Sequence, residues 1–387
     1  MRFDERMNIS RREFALVPAS VALSPLAAAR GEFLVYIGTY TRNKSKGIHV
    51  ARLDAGTGKM TAPELAGEVA NPSFLALHPT GKYLYSVSEM GGGAGREGAV
   101  SAFSIDKSSG KLTFLNRQSS RGGGPCHLNV DKTGRMLVVV NYGTGSVASL
   151  PLDADGKLRE AASFFQHSGT VALAKRQGGP HAHSVNFSPD NRFAIVCDLG
   201  LDKLFVYKAF PAKGTLTAGE PPFATVKPGS GPRHFAFHPN GKFAFAINEI
   251  ACTMTSFAWK SGTLREIETV STLPADVKVI PSYSTAEVAV HPSGKFVYGS
   301  NRGHDTLAGF SIDTKTGMLT PIGHTPVLGK IPRNFCIDPT GSYLIVAHQN
   351  SDSLVVFQID RSTGKLTPTG QTFEVGAPVC VRYLAAG

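Results

Sequence analysis

Seven turn-forming triplets recur along this chain at intervals of 46 to 58 residues. They are Gly58-Lys59-Met60, Gly110-Lys111-Leu112, Gly156-Lys157-Leu158, Gly214-Thr215-Leu216, Gly262-Thr263-Leu264, Gly317-Met318-Leu319 and Gly364-Lys365-Leu366. Each ends a polar loop, and most follow an alternating apolar segment such as Ala308-Gly309-Phe310-Ser311-Ile312-Asp313. Each reads as a hairpin whose glycine takes a positive φ. A supersecondary unit repeated at such a period buries its faces against its neighbours.

A second pattern interleaves with the first. Its clearest copy runs from Gly231-Pro232-Arg233-His234 through His238-Pro239-Asn240-Gly241 to Asn248-Glu249. Related copies begin at Pro72, Pro125, Gly179, Thr285 and Pro332. Each is a strand, a tight turn and a second strand, with period-two alternation and many Phe, Val, Ile and Tyr residues. Six whole copies stand against seven hairpins, and the missing copy is divided between the chain ends. Gly376-Ala377-Pro378-Val379-Cys380-Val381-Arg382-Tyr383-Leu384 matches the first strand, and Phe33-Leu34-Val35-Tyr36-Ile37-Gly38-Thr39-Tyr40 matches the second. A ring whose last unit is built from both termini accounts for the split, and closure removes exposed sheet edges. The expectation is an all-β fold, a seven-bladed β-propeller, with its last blade closed by the N- and C-terminal segments. A tandem of β-sandwiches would not need divided termini.

The opening residues have a different character. Ser10-Arg11-Arg12-Glu13-Phe14 precedes an apolar stretch that ends at Ala27-Ala28-Ala29. Paired arginines, a moderately apolar segment and small residues form the pattern of a twin-arginine signal peptide. Pro18 and Pro25 argue against a simple N-terminal helix. The reading is a signal over 1–29, a propeller domain over 30–387, passage through the twin-arginine export machinery, and a periplasmic or secreted location. No run of 18 apolar residues is free of charges and helix breakers, which argues against a membrane-spanning helix. The five cysteines, Cys126, Cys197, Cys252, Cys336 and Cys380, are too few and too scattered for a disulfide scaffold, and buried free thiols are expected.

Aligning the six copies on the residue before the turn proline sets out two rims. Those residues are His78, Asp131, Ser188, His238, His291 and Asp338, with Lys132 in place of the proline after Asp131. Five positions earlier stand Ser73, Cys126, His183, Arg233, Ala286 and Arg333; eleven later stand Glu89, Tyr142, Leu199, Glu249, Arg302 and Gln349. The start of one strand and the end of its antiparallel partner meet at one end, so both sets face one rim. The turn rim repeats a generic formula. The other diverges copy by copy into charged and polar residues, as a specialised site would. An Arg233–Glu249 rim salt bridge and a packed His183 are the bland alternatives. Asn141, Asn248 and Asn301 recur at one register and are expected to serve the backbone.

Several chemistries are disfavoured. His181-Ala182-His183 lacks a supporting ligand set, so no metal is expected. Gly91-Gly92-Gly93 and Gly122-Gly123-Gly124 do not lead into a helix, and loops are the better reading than phosphate cradles. No Gly-x-Ser-x-Gly elbow is present. The excess of 40 Lys+Arg over 29 Asp+Glu, a net charge of +11, is spread along the chain without a basic, aromatic-interleaved block, which argues against nucleic acid.

Tyr36-Ile37-Gly38-Thr39-Tyr40-Thr41, Pro180-His181-Ala182-His183-Ser184, Gly231-Pro232-Arg233-His234, Asn248-Glu249 and Asn301-Arg302 resemble the propeller-type lactonase family. That family includes bacterial 6-phosphogluconolactonases and fungal carboxy-cis,cis-muconate cyclase, and the resemblance spans nearly all of the chain after the signal. It implies a catalytic set of His183, Glu249, Arg233 and Arg302, the positions already isolated by register. Arg333, His127 and Glu89 are expected to bind substrate. The implied activity is hydrolysis of a sugar-type or carboxylated lactone without a cofactor, with the arginines holding an anionic small molecule. An export signal sits awkwardly with a substrate of cytoplasmic sugar metabolism. A muconate-type lactonising cycloisomerase is the second enzymatic reading, and a non-catalytic binding or assembly propeller the third.

Overall fold

The computed structural model describes residues 31–42, 44–90 and 97–386. The proposed signal at 1–29 and the Gly91-Gly92-Gly93 run lie outside the described residues. The rest folds into seven four-stranded antiparallel sheets arranged as the blades of a propeller. Their innermost strands are Leu75–Leu77, Pro125–Val130, Ala182–Phe187, Pro232–Phe237, Ser284–Val290, Pro332–Ile337 and Pro378–Ala385. Each touches the next around the ring, and Pro378–Ala385 closes it by meeting both Pro332–Ile337 and Leu75–Leu77.

The closing blade joins the two ends of the chain as the divided repeat anticipates. Pro378–Ala385 pairs antiparallel with Glu32–Thr39, placing Phe33 opposite Ala385 and Ile37 opposite Val381. The chain then continues outward through Gly47–Asp54 and Glu64–Glu68.

The second strands of the blades depart from simple apolar–polar alternation. Met136–Asn141, Phe243–Asn248 and Tyr343–His348 are buried along their whole length. Both faces of a blade are covered by neighbouring blades, so these strands become continuous apolar runs. Period two survives as alternation of size. Phe243, Phe245 and Ile247 enter the core on one side of their blade, while Ala244 and Ala246 enter the core on the other. The outermost strand of the same blade, Thr263–Ser271, is mostly exposed or half-buried.

The turn rim is structural, as its repeated formula suggests. His78, His238 and His291 donate from Nε2 to the carbonyls of Gly134, Gly294 and Gly341, each in the turn of the next blade, at 2.9, 2.8 and 2.8 Å. A Cβ on Gly134 would lie 2.2 Å from His78 Nε2, so the latch requires glycine there as much as the positive φ of 70° does. One copy lacks this glycine: Asn191 takes the left-handed conformation instead, at φ 62°. Its amide donates to Asp131 Oδ2 of the preceding blade.

Candidate active site

Six inner strands, including Pro378–Ala385 where Val379 is skipped, share an irregularity at the other rim. In the ladders, Pro125 pairs with Asn141 and His127 with Val140, so Cys126 has no opposite residue. His183, Arg233 and Arg333 are skipped in the same way in their own blades, and Ala286 with Glu287 in theirs. A bulge breaks strict alternation and re-aims side chains, which is how such sites are commonly built. Cys126, His183, Arg233, Ala286 and Arg333 are positions that the register also picks out from the sequence, whereas Glu287 and Val379 are not.

The structure brings His183, Arg233, Glu249 and Arg302 to one end of the ring. Arg233 is 2% exposed. Its Nε donates to Glu249 Oε2 at 2.9 Å, and its Nη1 donates to the Ala286 carbonyl at 2.7 Å. Arg302 Nη2 lies 2.7 Å from the same carboxylate oxygen and donates to the Thr285 carbonyl at 2.8 Å. The Nε of Arg302 is buried with no partner among the described residues. Arg176 adds a third guanidinium, with Nη2 3.2 Å from Glu249 Oε1. The Arg233–Glu249 salt bridge therefore exists, but as the centre of a largely buried cluster and not as an isolated rim pair.

Burial pushes the Glu249 carboxyl upward, yet Arg302, Arg233, Arg333 and Arg176 outweigh it and hold it down at about 2. Glu249 is thus a fixed carboxylate, and its hydrogen bonds go to guanidiniums rather than to His183. His183 is held neutral: burial, then the charges of Arg233, its neighbour His234 and Arg333, take its imidazole well below the ordinary value. Its ring stands edge-on to Tyr142, 5.2 Å between centroids, and its Nδ1 is 3.7 Å from the Cys126 thiol. His181 instead stacks on Tyr142 and donates from Nδ1 to the Tyr142 carbonyl at 2.8 Å. Burial raises the Cys126 thiol strongly, so it is no nucleophile. All five cysteines are free.

Arg333 and Glu89 belong to the same end. The Arg333 guanidinium lies 5.7 Å over the Tyr40 ring, and the Tyr40 hydroxyl donates to Glu89 Oε2 at 2.9 Å. Ser73 donates to the same oxygen. Glu89, Cys126, Arg233, His234 and Arg333 line a narrow cavity of about 10 Å³, room for about one water molecule. Larger clefts open between blades elsewhere, as beside His324 and Lys365, but that cleft brings together no facing acid and base.

His127 stands apart from the other expected substrate ligands. Its ring packs 3.8 Å from that of Phe74, and its Nδ1 accepts from the Val185 N–H at 3.3 Å. It belongs to a second buried layer with His234, Glu287 and Asn334. His234 Nδ1 is 2.9 Å from Glu287 Oε1, and Asn334 donates to the other carboxylate oxygen. Burial raises Glu287 to about 7 against the pull of Arg382 and Arg233. Burial, Arg233 and Arg333 lower His234 well below its usual value, so the pair is not a conventional imidazolium–carboxylate bridge.

The recurring asparagines divide. Asn141 and Asn301 donate to the Ser120 and Thr272 carbonyls, as expected of backbone ties. Asn248 donates to the hydroxyls of Thr253 and Thr255. Among the described residues, no three His, Cys, Asp or Glu side chains gather as metal ligands.

Residues 34–383 match the family model described as lactonase, 7-bladed beta-propeller. The chain belongs to this family. It is 36% identical over 356 residues to the 6-phosphogluconolactonase of Bacillus subtilis, covering 91% of this chain and 99% of that protein. A 6-phosphogluconolactonase of Formosa agariphila is 38% identical over 308 residues, covering 79% and 86%. Among solved structures, the periplasmic gluconolactonase of Pseudomonas aeruginosa superposes with a TM-score of 0.86 at 34% identity, covering 92% of this chain and all of that one.

Arg176 and Glu287 did not emerge from the sequence patterns, and Tyr40 and His234 stood in the quoted motifs without an assigned role. His234 and Glu287 follow or share a bulge, which the sequence does not announce. Arg176 did leave a trace: the interval from Gly156 to Gly214, at 58 residues, is the longest of the set and contains it.

Proposed function

We propose that the protein hydrolyses a sugar-type lactone carrying an anionic group. The carrying observation is a neutral imidazole, His183, at the same end of the ring as guanidiniums cross-linked by Glu249. Lactone opening needs a base for water and positive charge for the carbonyl oxygen as it becomes tetrahedral. In this reading, a water oxygen bonds to the carbonyl carbon while its proton passes to His183. The charges of Arg302 and Arg233 stabilise the oxyanion. The tetrahedral centre then collapses, the ring C–O bond breaks, and the departing oxygen takes the proton from His183. The product is the open hydroxy acid, which loses its carboxyl proton to solvent. Glu249 is too weak a base for the first step and acts by fixing the arginines.

The names of the relatives support lactone chemistry and include one periplasmic member. That member and the Arg11-Arg12 pattern together support export of this chain through the twin-arginine machinery, with cleavage near residue 29 and a propeller over 30–387.

Purified protein is expected to accelerate acid release from glucono-δ-lactone or its 6-phosphate well above the spontaneous rate. A panel of five- and six-membered lactones that shows no acceleration would overturn the proposal.

A further inference from the structure

The backbone that enters the inner strands is strained beside the arginine cluster. Asn71, Gly124, Gly231, Ile331 and Ala377 stand directly before Pro72, Pro125, Pro232, Pro332 and Pro378. All five take left-handed backbone, with φ of 45°, 61°, 66°, 59° and 40°. Glycine and asparagine accept that conformation, and Ala377 has only a methyl group to fit. A β-branched side chain resists it, so Ile331 persists there only because its surroundings hold it. Its N–H donates to Asp305 Oδ1 at 2.8 Å, and its carbonyl accepts from the Gln349 N–H at 3.0 Å. Gly231 makes the same two bonds, to Asp202 Oδ1 and from the Glu249 N–H, both at 2.7 Å. Glycine would therefore serve this backbone as well, and it is the isoleucine side chain that needs a reason.

Core packing does not supply it. Ile331 is half-buried and belongs to none of the apolar clusters that the described residues form between blades. The related blade shows where such a side chain heads. A Cβ on Gly231 would lie 2.8 Å from Ile250 Cδ1 and 3.3 Å from Leu199 Cγ. At the same register, the residues that correspond to Ile250 and Leu199 for Ile331 are Asn350 and Arg302. The tie to Asp305 agrees, because Asp305 follows Arg302 by three residues as Asp202 follows Leu199. The Arg302 side chain is 12% exposed, so little surface separates its guanidinium from solvent. Water there would compete with a developing oxyanion and weaken the field that the guanidinium exerts on it.

We propose that Ile331 is a positioning residue, held in unfavourable backbone so that its apolar side chain covers Arg302 and keeps water from the guanidinium that stabilises the oxyanion. This rests on the lactonase reading above, and Ile331 acts through Arg302 rather than on the substrate. The strain is a cost to the fold that is kept for the site, so stability and activity should move apart when the side chain is removed. Leu328 provides the contrast. It has the same left-handed backbone, at φ 62°, in the same connection, but its side chain is 62% exposed.

The test measures thermal midpoints, kcat and KM for Ile331→Gly, Ile331→Val and Leu328→Gly, using whichever of glucono-δ-lactone and its 6-phosphate the unaltered protein opens faster. Ile331→Gly should unfold at no lower temperature than the unaltered protein, because relief of strain offsets the greater freedom that glycine gives the unfolded chain. Its kcat should fall about three- to tenfold with KM nearly unchanged, less than the loss of a whole oxyanion donor. Ile331→Val should keep most of the turnover, and Leu328→Gly all of it. In an Arg302→Ala background, Ile331→Gly should cost nothing further. An unchanged kcat in Ile331→Gly, a lowered midpoint, an equal loss in Leu328→Gly, or the same fold-loss with and without Arg302 would each overturn the inference and leave the lactonase reading standing. Failure of the unaltered protein to hydrolyse either lactone would overturn both.

Discussion

Replacing His183 by alanine is expected to lower kcat for lactone hydrolysis by about 10² to 10⁴, the usual contribution of a positioned general base. The folded protein should survive the change. His183 lies at a bulge rather than within a ladder pair, and its side chain packs on Tyr142 and meets Cys126 only at a long 3.7 Å. The loss should appear in kcat rather than KM, since the imidazole acts on water and not on the anionic end of the substrate. Steady-state kinetics beside a thermal unfolding curve checks both halves. A variant that unfolds like the unaltered protein and retains its turnover would remove His183 from the mechanism.

The second large effect is on stability. Arg233→Ala is expected to destabilise the protein by about 3 to 5 kcal/mol, the range for removing one partner of a buried ion pair. Arg233 joins two blades: it holds Glu249 of its own blade and the Ala286 carbonyl of the next. Truncation leaves that carbonyl without its donor and removes a counter-charge from a buried carboxylate. With less positive charge nearby, the Glu249 carboxyl should rise from about 2, so the penalty at neutral pH should shrink as the solution is acidified. The sign follows from linkage: the carboxyl is depressed in the folded protein, so the stability it contributes is lost as pH falls toward that value. Urea midpoints at pH 7 and pH 4 for both proteins measure this. A pH-independent difference below about 1 kcal/mol would show that the cluster contributes little to the fold.

The architecture was legible because its signal is repetition. The seven hairpin glycines all take positive φ, and the split copy pairs Phe33 with Ala385. The site was legible for a related reason: His183, Arg233, Glu249 and Arg302 depart from a repeated background at fixed register. What stayed hidden depends on local backbone geometry. A one-residue bulge turns two consecutive side chains inward, so Arg233 belongs to the mouth and His234 to the layer with His127 and Glu287. Alternation alone cannot forecast that, and it is why His127, expected at the mouth, packs against Phe74. Arg176 was missed because it comes from a connection with no counterpart in the other copies. Register arguments see only what repeats.

The pH dependence of kcat/KM of the unaltered protein tests the central assignment most directly. Burial, Arg233, His234 and Arg333 disfavour the charged form of His183, so the base stays unprotonated throughout the neutral range. The profile should therefore be level through pH 6.5 and above, falling only at distinctly lower pH as the imidazole gains its proton. A fall centred near pH 7 would point to the Glu287 carboxyl, which titrates there, and would contradict His183 as the group that activates water.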